Sequence, residues 1–589
     1  MNIKKYEQDY PTVKETILCR RGIPRDEIDK WIEADFSCVS PWTELNYNGL
    51  MEKAVKRVCN AIYNKENIYL IQDCDVDGIT SSSMFLNYVY KVDNDYAVNN
   101  IKYYIHDGKQ HGLEDFIEEI TIDKLKENNI SLIVVPDAGS NDVIQHELLY
   151  ENGIDCICLD HHEAPIENLE GHAIIVNNQL SDYPNKDMSG AGVVWLFCKA
   201  YDEVCGYSYA DEFIDICALG NCADMMLITS IETRAIVKEG FANVSNPFFA
   251  GILKQNDFSI SNAGGVNYMS VAFYVAPYIN AVCRVGTKEE KDMLFRAFCL
   301  PYAYEKIQSK KRGAFPGQKV ELWEEAVRVV GNVKRRQTDY QNDGLKNIED
   351  YIVENNLTDH SVLVCKCEKD DCLPMVRGLI ANKLQSKYQR PSLVLTKTVD
   401  GDVISYSGSM RNYSMSEIQN FKDLIDESGY VIYATGHQGA AGVSIKESDI
   451  DDFVKWMDNK YENISKEPTY TVDFIWNGRK INKPAIFEIG KMTDCWGQGC
   501  PEPFVYVKDL ELSTCRLALM GKKNDTIKIT LSNGVDILLF SSNEDVFNEM
   551  KNRDEYLSFV GKCKINEYMD NYTPQILIDE YILENKILF

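Results

Sequence analysis

Short apolar runs alternate with amphipathic segments through the first half of the chain. Between residues 51 and 245, strand-like runs at 68–71, 132–135 and 156–159 alternate with helical segments such as 84–90. This alternation predicts an α/β fold, a doubly wound sheet of parallel strands. In such sheets ligands bind beyond the carboxyl ends of the strands. The residues that follow these apolar runs are therefore the candidates for chemistry.

The pattern changes on both sides of this region. Residues 1–50 are expected to form an N-terminal helical extension, with Pro24 and Pro41 as breaks. Residues 246–355 are expected to be a mainly helical linker region, because apolar positions within 321–336 recur at helical spacing. The linker is predicted to contain one long helix.

Strands return in the last part of the chain. A smaller α/β domain is expected over 356–462, where a helix at 375–388 lies among strand-like runs. These runs are found at 361–365, 392–395, 430–434 and 443–445. Over 463–589, strand-like runs at 526–531 and 535–540 predict a small β-barrel.

The net charge limits the ways in which the chain can bind nucleic acid. A formal charge of −28 argues against a protein that coats nucleic acid by bulk electrostatics. One stretch is locally basic and could form a channel, although a solvated helix face is the alternative. The basic residues of this stretch are Lys306, Lys310, Lys311, Arg312, Lys319, Arg328, Lys334, Arg335 and Arg336.

Composition indicates a soluble protein of a reducing compartment. No apolar run approaches the ~20 residues of a membrane span, and the first residues lack the apolar core of a signal peptide. The 19 cysteines are scattered, and no CxxC pair occurs. Cysteines inside apolar runs, such as Cys156 and Cys158, are predicted to be buried thiols rather than zinc ligands. A cytoplasmic location is expected.

Carboxylates follow the predicted strands with a regularity that packing does not explain. Asp73, Asp75 and Asp77 come after the first run, Asp137 after the second and Asp160 at the end of the third. Unpaired carboxylates are costly to bury, and several at one place repel each other. A divalent metal would remove that cost. Oxygen ligands with one or two imidazoles suit Mn²⁺ or Mg²⁺.

The order and spacing of these motifs resemble the DHH phosphoesterase superfamily. Downstream segments narrow the resemblance to the RecJ family of single-strand-specific DNA exonucleases. These segments are MSGAGV at 188–193, APYINAVCR at 276–284, GSMR at 408–411, GHQGAAG at 436–442 and WGQGCPEP at 496–503. The resemblance implies a DHH domain over 51–245, a DHHA1 domain over 356–462 and an OB-like nucleic-acid-binding domain over 463–589.

The resemblance also implies roles for the acidic and imidazole side chains. Two divalent ions, Mn²⁺ or Mg²⁺, would be bound, with Asp137 as the bridging carboxylate and Asp73 as an accessory group. His162 would polarise the phosphate or donate a proton, and Asp160 would orient a ligand histidine. The set implied to bind metal is Asp73, Asp75, Asp77, Asp137, His161 and Asp224.

A second implied set binds phosphate or DNA. Its members are Arg284, Asn280, Ser409, Arg411, Gly436, His437 and Lys109. Lys109 stands where the family has an arginine, and a lysine lacks the bidentate fork of a guanidinium. Trp496, Phe504 and Tyr506 could stack on bases or belong to the core.

The leading hypothesis is a metal-dependent 5′→3′ exonuclease that releases 5′ mononucleotides from single-stranded DNA in repair, recombination or replication. The polarity and the DNA preference come from the resemblance. A DHH hydrolase of short oligonucleotides, cyclic dinucleotides or pyrophosphate is the alternative, and a non-catalytic replication scaffold is a third hypothesis. A monomer is expected, with a single-strand-binding protein or a helicase as candidate partners.

Overall fold

The computed structural model describes residues 1–107, 111–401, 403–416, 418, 420–462, 467–552, 555–568 and 571–585. The chain divides into two compact units. The larger unit comprises Arg21–Arg336 and Thr493–Pro501. The smaller unit comprises Met1–Arg20, Gln337–Met492 and Glu502–Phe589.

Strands and helices are numbered in chain order. The chain starts with β1 (Asn2–Lys5) and α1 (Val13–Arg20), both in the smaller unit. The strands of the larger unit are β2 (Asn67–Gln72), β3 (Ile101–Ile105), β4 (Ile130–Pro136), β5 (Asp155–Asp160), β6 (Ile174–Asn177), β7 (Lys306–Gln308) and β8 (Lys319–Glu321). Its helices are α2 (Ile28–Ile32), α3 (Trp42–Leu45), α4 (Leu50–Asn64), α5 (Val76–Val92), α6 (Asn94–Asn100), α7 (Glu114–Glu119), α8 (Ile122–Glu127), α9 (Val143–Glu151), α10 (Gly190–Cys205), α11 (Ile214–Ala223), α12 (Ile231–Ala242), α13 (Pro247–Gln255), α14 (Asp257–Asn262), α15 (Tyr268–Tyr274), α16 (Ala276–Val285), α17 (Lys288–Phe298) and α18 (Leu300–Ala303).

The predicted long helix is α19 (Leu322–Glu354), which is longer than the sequence pattern indicated. The strands that follow are β9 (Leu363–Cys367), β10 (Ser392–Asp400), β11 (Val403–Arg411), β12 (Val431–His437), β13 (Ala440–Lys446), β14 (Thr469–Val472), β15 (Phe474–Asn477), β16 (Phe504–Glu511), β17 (Arg516–Met520), β18 (Thr526–Thr530), β19 (Asp536–Phe540), β20 (Glu555–Tyr568) and β21 (Asn571–Asn585). The helices are α20 (Arg377–Tyr388), α21 (Phe421–Glu427), α22 (Ile450–Tyr461), α23 (Lys483–Lys491) and α24 (Glu544–Asn552). Short 3₁₀ helices lie at Arg25–Glu27, Phe36–Cys38, Tyr47–Gly49, Ile166–Glu170, Ala210–Phe213, Leu357–Asp359, Pro374–Val376, Glu447–Asp449, Thr493–Cys495 and Leu512–Thr514.

A parallel sheet lies at the centre of the larger unit. Its strand order is β3-β2-β4-β5-β6, and every neighbouring pair is parallel. One face carries a buried apolar cluster that includes Ile133, Val135 and Leu149. Helix α5 follows β2 and packs on α10 and α11. The predicted doubly wound α/β fold is confirmed.

The smaller unit contains two main sheets. The first has the order β12-β13-β11-β10-β9, with β9 and β10 parallel and the other pairs antiparallel. The second has seven strands in the order β15-β16-β20-β21-β19-β18-β17. The expected α/β domain and strand-rich C-terminal domain therefore both have counterparts in this unit.

Two local features were not predicted. Residues near the N-terminus form β1, which pairs in parallel with β14 from Asn2↔Thr469 to Lys5↔Val472, so the first fifty residues include a strand as well as helices. A pairing over such a separation leaves no local sequence signal. Residues 493–501 pack within the larger unit, where the Ile228 N–H donates to the Gln498 carbonyl at 3.0 Å. Trp496 is buried in that segment and so does not present a ring for bases.

None of the helices in the described ranges combines the length and the apolar character that a membrane crossing requires.

Trp31, in the first helix of the larger unit, packs into the interior of that unit. The indole is 2% exposed, its Nε1–H donates to the Ile228 carbonyl at 2.9 Å, and the Arg234 guanidinium lies 3.9 Å from the ring centroid. The ring therefore combines apolar burial, a hydrogen bond and a cation–π contact.

We expect Trp31→Ala to lower the free energy of unfolding by about 3–5 kcal/mol, because it leaves a large cavity beside Arg234. Chemical denaturation followed by tryptophan fluorescence and circular dichroism measures the loss. Tyr63→Ala is the control, since Tyr63 is 87% exposed and should change stability by less than about 0.5 kcal/mol. Equal losses in both variants would contradict this role of Trp31.

Candidate metal centre

The first carboxylates of the centre are positioned by the turn between β2 and α5. Asp75 is the N-cap of α5, and its carboxylate accepts the Gly78 N–H at 2.9 Å. A Cβ atom at Gly78 would lie 2.6 Å from the carbonyl oxygen of Asp73, so this tight turn requires glycine. Asp73 accepts the Gly112 N–H at 3.2 Å through Oδ1. The local sequence thus brings three aspartates to the carboxyl end of one strand.

Asp77 is held by the N-terminus of another helix. Its Oδ2 accepts the Gly190 N–H at 2.7 Å and its Oδ1 accepts the Ala191 N–H at 3.1 Å. These are the first residues of α10, where free N–H groups and the helix dipole favour a negative charge. A side chain at Gly220 would clash with Asp77 Oδ1, at 2.4 Å. The carboxylate is therefore fixed in place.

Asp137 follows β4 in a left-handed conformation with φ +66°. Its N–H donates to the Leu159 carbonyl at 2.8 Å. Its Oδ1 is buried and has no hydrogen-bond partner among the described residues. Burial, together with the charges of Asp77 and Asp75, raises the pKa of Asp137 well above its ordinary value. A buried carboxylate oxygen without a partner is costly unless a cation accompanies it.

His161 lies in the middle of the acidic side chains. Its Nε2 is 3.3 Å from Asp137 Oδ1, 3.5 Å from Asp224 Oδ2 and 3.9 Å from Asp77 Oδ2. Asp224 caps the C-terminus of α11, and burial with the charges of Asp77 and Asp75 raises the pKa of its carboxyl to about 8. Four residues from four separate segments thus direct donor atoms to one point.

The donors fit a hard divalent cation. Asp77, His161 and Asp224 place ligand atoms within 4.8 Å of one another, and so do Asp137, His161 and His162. Oxygen donors with an imidazole suit Mn²⁺ or Mg²⁺. Positive charge at this point would also satisfy the unpaired Asp137 Oδ1. Asp75 and Asp73 lie close by, since the charge of Asp75 raises the pKa of both Asp73 and Asp137.

Asp160 orients His162 rather than His161. Its Oδ1 accepts the His162 Nδ1–H at 2.7 Å and the backbone N–H groups of His161 and His162 at 2.7 and 3.1 Å. Its Oδ2 accepts the Ser140 N–H at 3.0 Å. The side-chain bond to Asp160 raises the pKa of His162 to about 9. Asp160 thus holds the His162 ring through Nδ1.

The helix α16 brings two more predicted residues to the region. Asn280 and Arg284 are one turn apart on α16, so they share a helix face. The positive charge of Arg284 opposes the effect of burial on the pKa of Asp75, which places the guanidinium near that carboxylate. Cys74 also contacts this helix, since its Sγ donates to the Cys283 carbonyl at 3.4 Å.

The other predicted phosphate-binding residues lie together in the first sheet of the smaller unit. His437 pairs with Ala440, which pairs in turn with Arg411, so these residues form one row across β12, β13 and β11. Ser409 lies two residues before Arg411 on the same face, and Gly436 has φ +132°. Lys109 lies outside the described residues.

Several residues of the centre lacked a sequence signal. The His106 Nε2 contacts the Gly112 carbonyl at 2.8 Å and lies 4.0 Å from Asp73 Oδ1. The His111 ring stacks near His162, with the ring centroids 6.3 Å apart. Both histidines come from the region between β3 and α7, which periodicity alone assigns to no site. Only their proximity to a conspicuous motif could have indicated them.

Comparison with known proteins agrees with this geometry. Residues 67–221 match the DHH family, N-terminal domain, and residues 472–580 match the RecJ OB domain. The putative SPbeta prophage-derived single-strand DNA-specific exonuclease YorK of Bacillus subtilis (strain 168) is 34% identical over 571 residues, covering 96% of this chain and 95% of the relative. The chain belongs to the RecJ family.

More distant RecJ proteins show the same relationship. The single-stranded-DNA-specific exonuclease RecJ of Bacillus subtilis (strain 168) is 26% identical over 549 residues, covering 92% of this chain and 64% of the relative. The crystal structure of Thermus thermophilus RecJ in complex with Mn²⁺ matches with a TM-score of 0.68 at 17% identity, covering 99% of this chain and 79% of that one. The RecJ resemblance predicted from the motifs is confirmed.

We expect Asp137→Asn to change thermal stability in two ways. An amide does not ionise beside Asp77 and Asp75, so metal-free Asp137→Asn should melt at a higher temperature than the metal-free wild type at pH 8. Mn²⁺ should raise the melting temperature of the wild type but not that of the variant. At a hundredfold excess over Kd, bound Mn²⁺ should add about 2.7 kcal/mol to the free energy of unfolding of the wild type.

Differential scanning calorimetry with and without Mn²⁺ measures both effects. Asp123→Asn is the matched control, because Asp123 is exposed on α8, and it should respond to Mn²⁺ as the wild type does. Full stabilisation of Asp137→Asn by Mn²⁺ would remove Asp137 from the metal site.

Proposed function

We propose that the protein is a metal-dependent exonuclease that hydrolyses single-stranded DNA from the 5′ end and releases 5′ mononucleotides. The observation that carries this proposal is the buried Asp137 Oδ1, which has no hydrogen-bond partner in the described chain and lies 3.3 Å from His161 Nε2. A buried carboxylate oxygen without a partner destabilises the fold, and such groups are typical of functional sites. Metal-dependent phosphoester hydrolysis is a function that requires this group.

We assign the metal ligands to Asp75, Asp77, Asp137, His161 and Asp224. When bound, divalent ions supply Lewis-acid stabilisation of phosphate charge and lower the pKa of a water nucleophile. The N-terminus of α10 orients Asp77 through two backbone hydrogen bonds, and the turn after β4 fixes the position of Asp137. Asp73 supports the centre through its bond with Gly112.

His162 is assigned to proton transfer or to polarisation of the phosphate. Asp160 holds its Nδ1, and the His162 side chain is about half exposed, at 49%. A protonated imidazole beside a phosphate can donate to a non-bridging oxygen or to the leaving oxygen. Arg284 and Asn280 on α16 would hold a neighbouring phosphate.

The smaller unit has candidate phosphate-binding residues of its own. Ser409, Arg411, Gly436 and His437 form a cluster in which backbone N–H groups and a guanidinium can bind phosphate oxygens.

The larger unit carries a basic and aromatic surface of its own. On the hairpin of β7 and β8 and the loop between them, Lys310, Lys311 and Arg312 are exposed and Phe315 is 68% exposed. Exposed cations beside an exposed ring suit a single-stranded nucleic acid, because the cations bind phosphates and the ring can stack on a base.

The RecJ family and the OB domain favour DNA over the alternative substrates. Hydrolases of cyclic dinucleotides or pyrophosphate usually lack an OB domain, and the strand-rich region of this chain matches the RecJ OB domain at residues 472–580. The 5′ polarity rests on the resemblance to the RecJ family. We also propose that the protein acts as a cytoplasmic monomer, with a single-strand-binding protein or a helicase as partner.

Incubation with end-labelled DNA tests the proposed activity. Single-stranded and duplex DNA carrying a label at the 5′ or the 3′ end is treated with the purified protein in Mn²⁺, Mg²⁺ or chelator. We expect labelled mononucleotide at once from 5′-labelled single strands, later from 3′-labelled ones, and none with chelator. Asp137→Ala should reduce turnover to background. Cleavage only of dinucleotides or pyrophosphate would instead support the alternative function.

The two adjacent histidines are expected to respond differently to the same substitution. His161→Ala should abolish turnover and weaken Mn²⁺ binding, because its Nε2 lies among three carboxylates. His162→Ala should lower kcat by about 10²–10⁴-fold and leave Mn²⁺ binding unchanged, because we assign His162 to proton transfer and not to the metal ligands. Electron paramagnetic resonance of free Mn²⁺ measures binding. Equal loss of Mn²⁺ from both variants would make His162 a ligand.

A further inference from the structure

A second cluster of ligating side chains lies on the sheet face that packs against α9. Cys156 and Cys158 are two residues apart on β5, so their side chains share a face of the sheet. His146 reaches this face from α9. The three side chains are 4%, 0% and 4% exposed in the order Cys156, Cys158 and His146. The carboxylate centre does not use any of them.

The spacing of the donor atoms matches tetrahedral coordination. The Cys156 and Cys158 sulfurs are 3.9 Å apart, and Cys158 Sγ is 3.4 Å from His146 Nε2. Ligand atoms of all three residues lie within 4.8 Å of one another. Two sulfurs at about 2.3 Å from zinc lie roughly 3.8 Å apart at the tetrahedral angle, and a sulfur and a nitrogen about 3.5 Å apart.

The surroundings lower the pKa of one of the three groups and raise the pKa of the other two. Hydrogen bonds from Cys158 and His146 lower the pKa of Cys156 to about 6. The resulting negative charge opposes ionisation of Cys158, whose pKa is raised. Burial lowers the pKa of His146, but its contacts with Cys156 and with the Gly139 backbone outweigh that effect. A cation would remove the repulsion between the two thiolates.

We propose that His146, Cys156 and Cys158 form a binding site for one thiophilic cation, Zn²⁺ or Cu⁺, separate from the carboxylate centre. Thiolate and imidazole ligands select these ions over Mn²⁺ and Mg²⁺. The three side chains complete a trigonal cuprous site, or they leave one tetrahedral position for a water on zinc. This proposal does not depend on the nuclease activity.

The proposed site is in contact with the turn that carries Asp137. A Cβ atom at Gly139 would be 2.7 Å from Cys158 Sγ, so this turn packs on the thiol without space for a side chain. The next residue, Ser140, donates its N–H to Asp160. A cation at the cysteines would therefore brace the segment that positions Asp137 and Asp160, and we expect it to raise the melting temperature.

Cobalt substitution tests the site without any variant. The full-length protein is stripped of metal with a chelator under reducing conditions and titrated with Co²⁺ alone. We expect a thiolate-to-cobalt charge-transfer band in the near ultraviolet that saturates at one equivalent. The carboxylate centre is not expected to produce that band, because none of its assigned ligands contains sulfur. Absence of the band in the wild type overturns the proposal.

Variants and direct binding then locate and identify the ion. Cys156→Ser/Cys158→Ser should lose the band and one bound equivalent, whereas Cys365→Ser, a buried cysteine of β9, and Asp137→Asn should keep both. Competition with a zinc chelator and with Cu⁺–bicinchoninate identifies the preferred cation. Equal metal content in the wild type and the double variant, or retention of neither ion against these competitors, also overturns the site.

Discussion

The structure of the larger unit depends on the convergence of carboxylates at the open end of its parallel sheet. Asp77, Asp137 and Asp224 approach the His161 imidazole, and Asp75 lies near Asp77. Desolvation and mutual repulsion raise the pKa of Asp75, Asp137 and Asp224. Such an arrangement is unfavourable without positive charge. The surrounding backbone therefore supplies hydrogen-bond donors that offset part of this negative charge.

Two features of the fold supply part of that neutralisation. Asp75 caps the N-terminus of α5, and Asp77 accepts the first N–H groups of α10. Both use the positive ends of helices. Asp137 has no such partner on Oδ1 among the described residues, which makes it the position where a bound cation gains most. The histidines divide the remaining tasks, since His161 lies among the carboxylates and His162 is bound by Asp160.

The same strand serves two kinds of chemistry on its two sides. At its carboxyl end, β5 leads into the hard oxygen and imidazole donors of the carboxylate centre, and on the α9 side it carries the sulfurs of Cys156 and Cys158. Hard and soft donors select different ions, so two metal sites can lie near each other without competing. The turn from Asp137 to Ser140 lies between them and touches both.

The sequence by itself determined the strands that end in aspartate, the alternation of a doubly wound sheet, and the motifs of the RecJ family, because these are encoded by neighbouring residues. It could not determine that β1 pairs with β14, that residues 493–501 and Trp496 pack in the larger unit, or that Asp160 holds His162. Nor could it bring His146 to two cysteines without a CxxC spacing, or His111 to His162. Most of these contacts join residues from different elements, and only the packing of those elements fixes the distances on which hydrogen bonding and metal coordination depend.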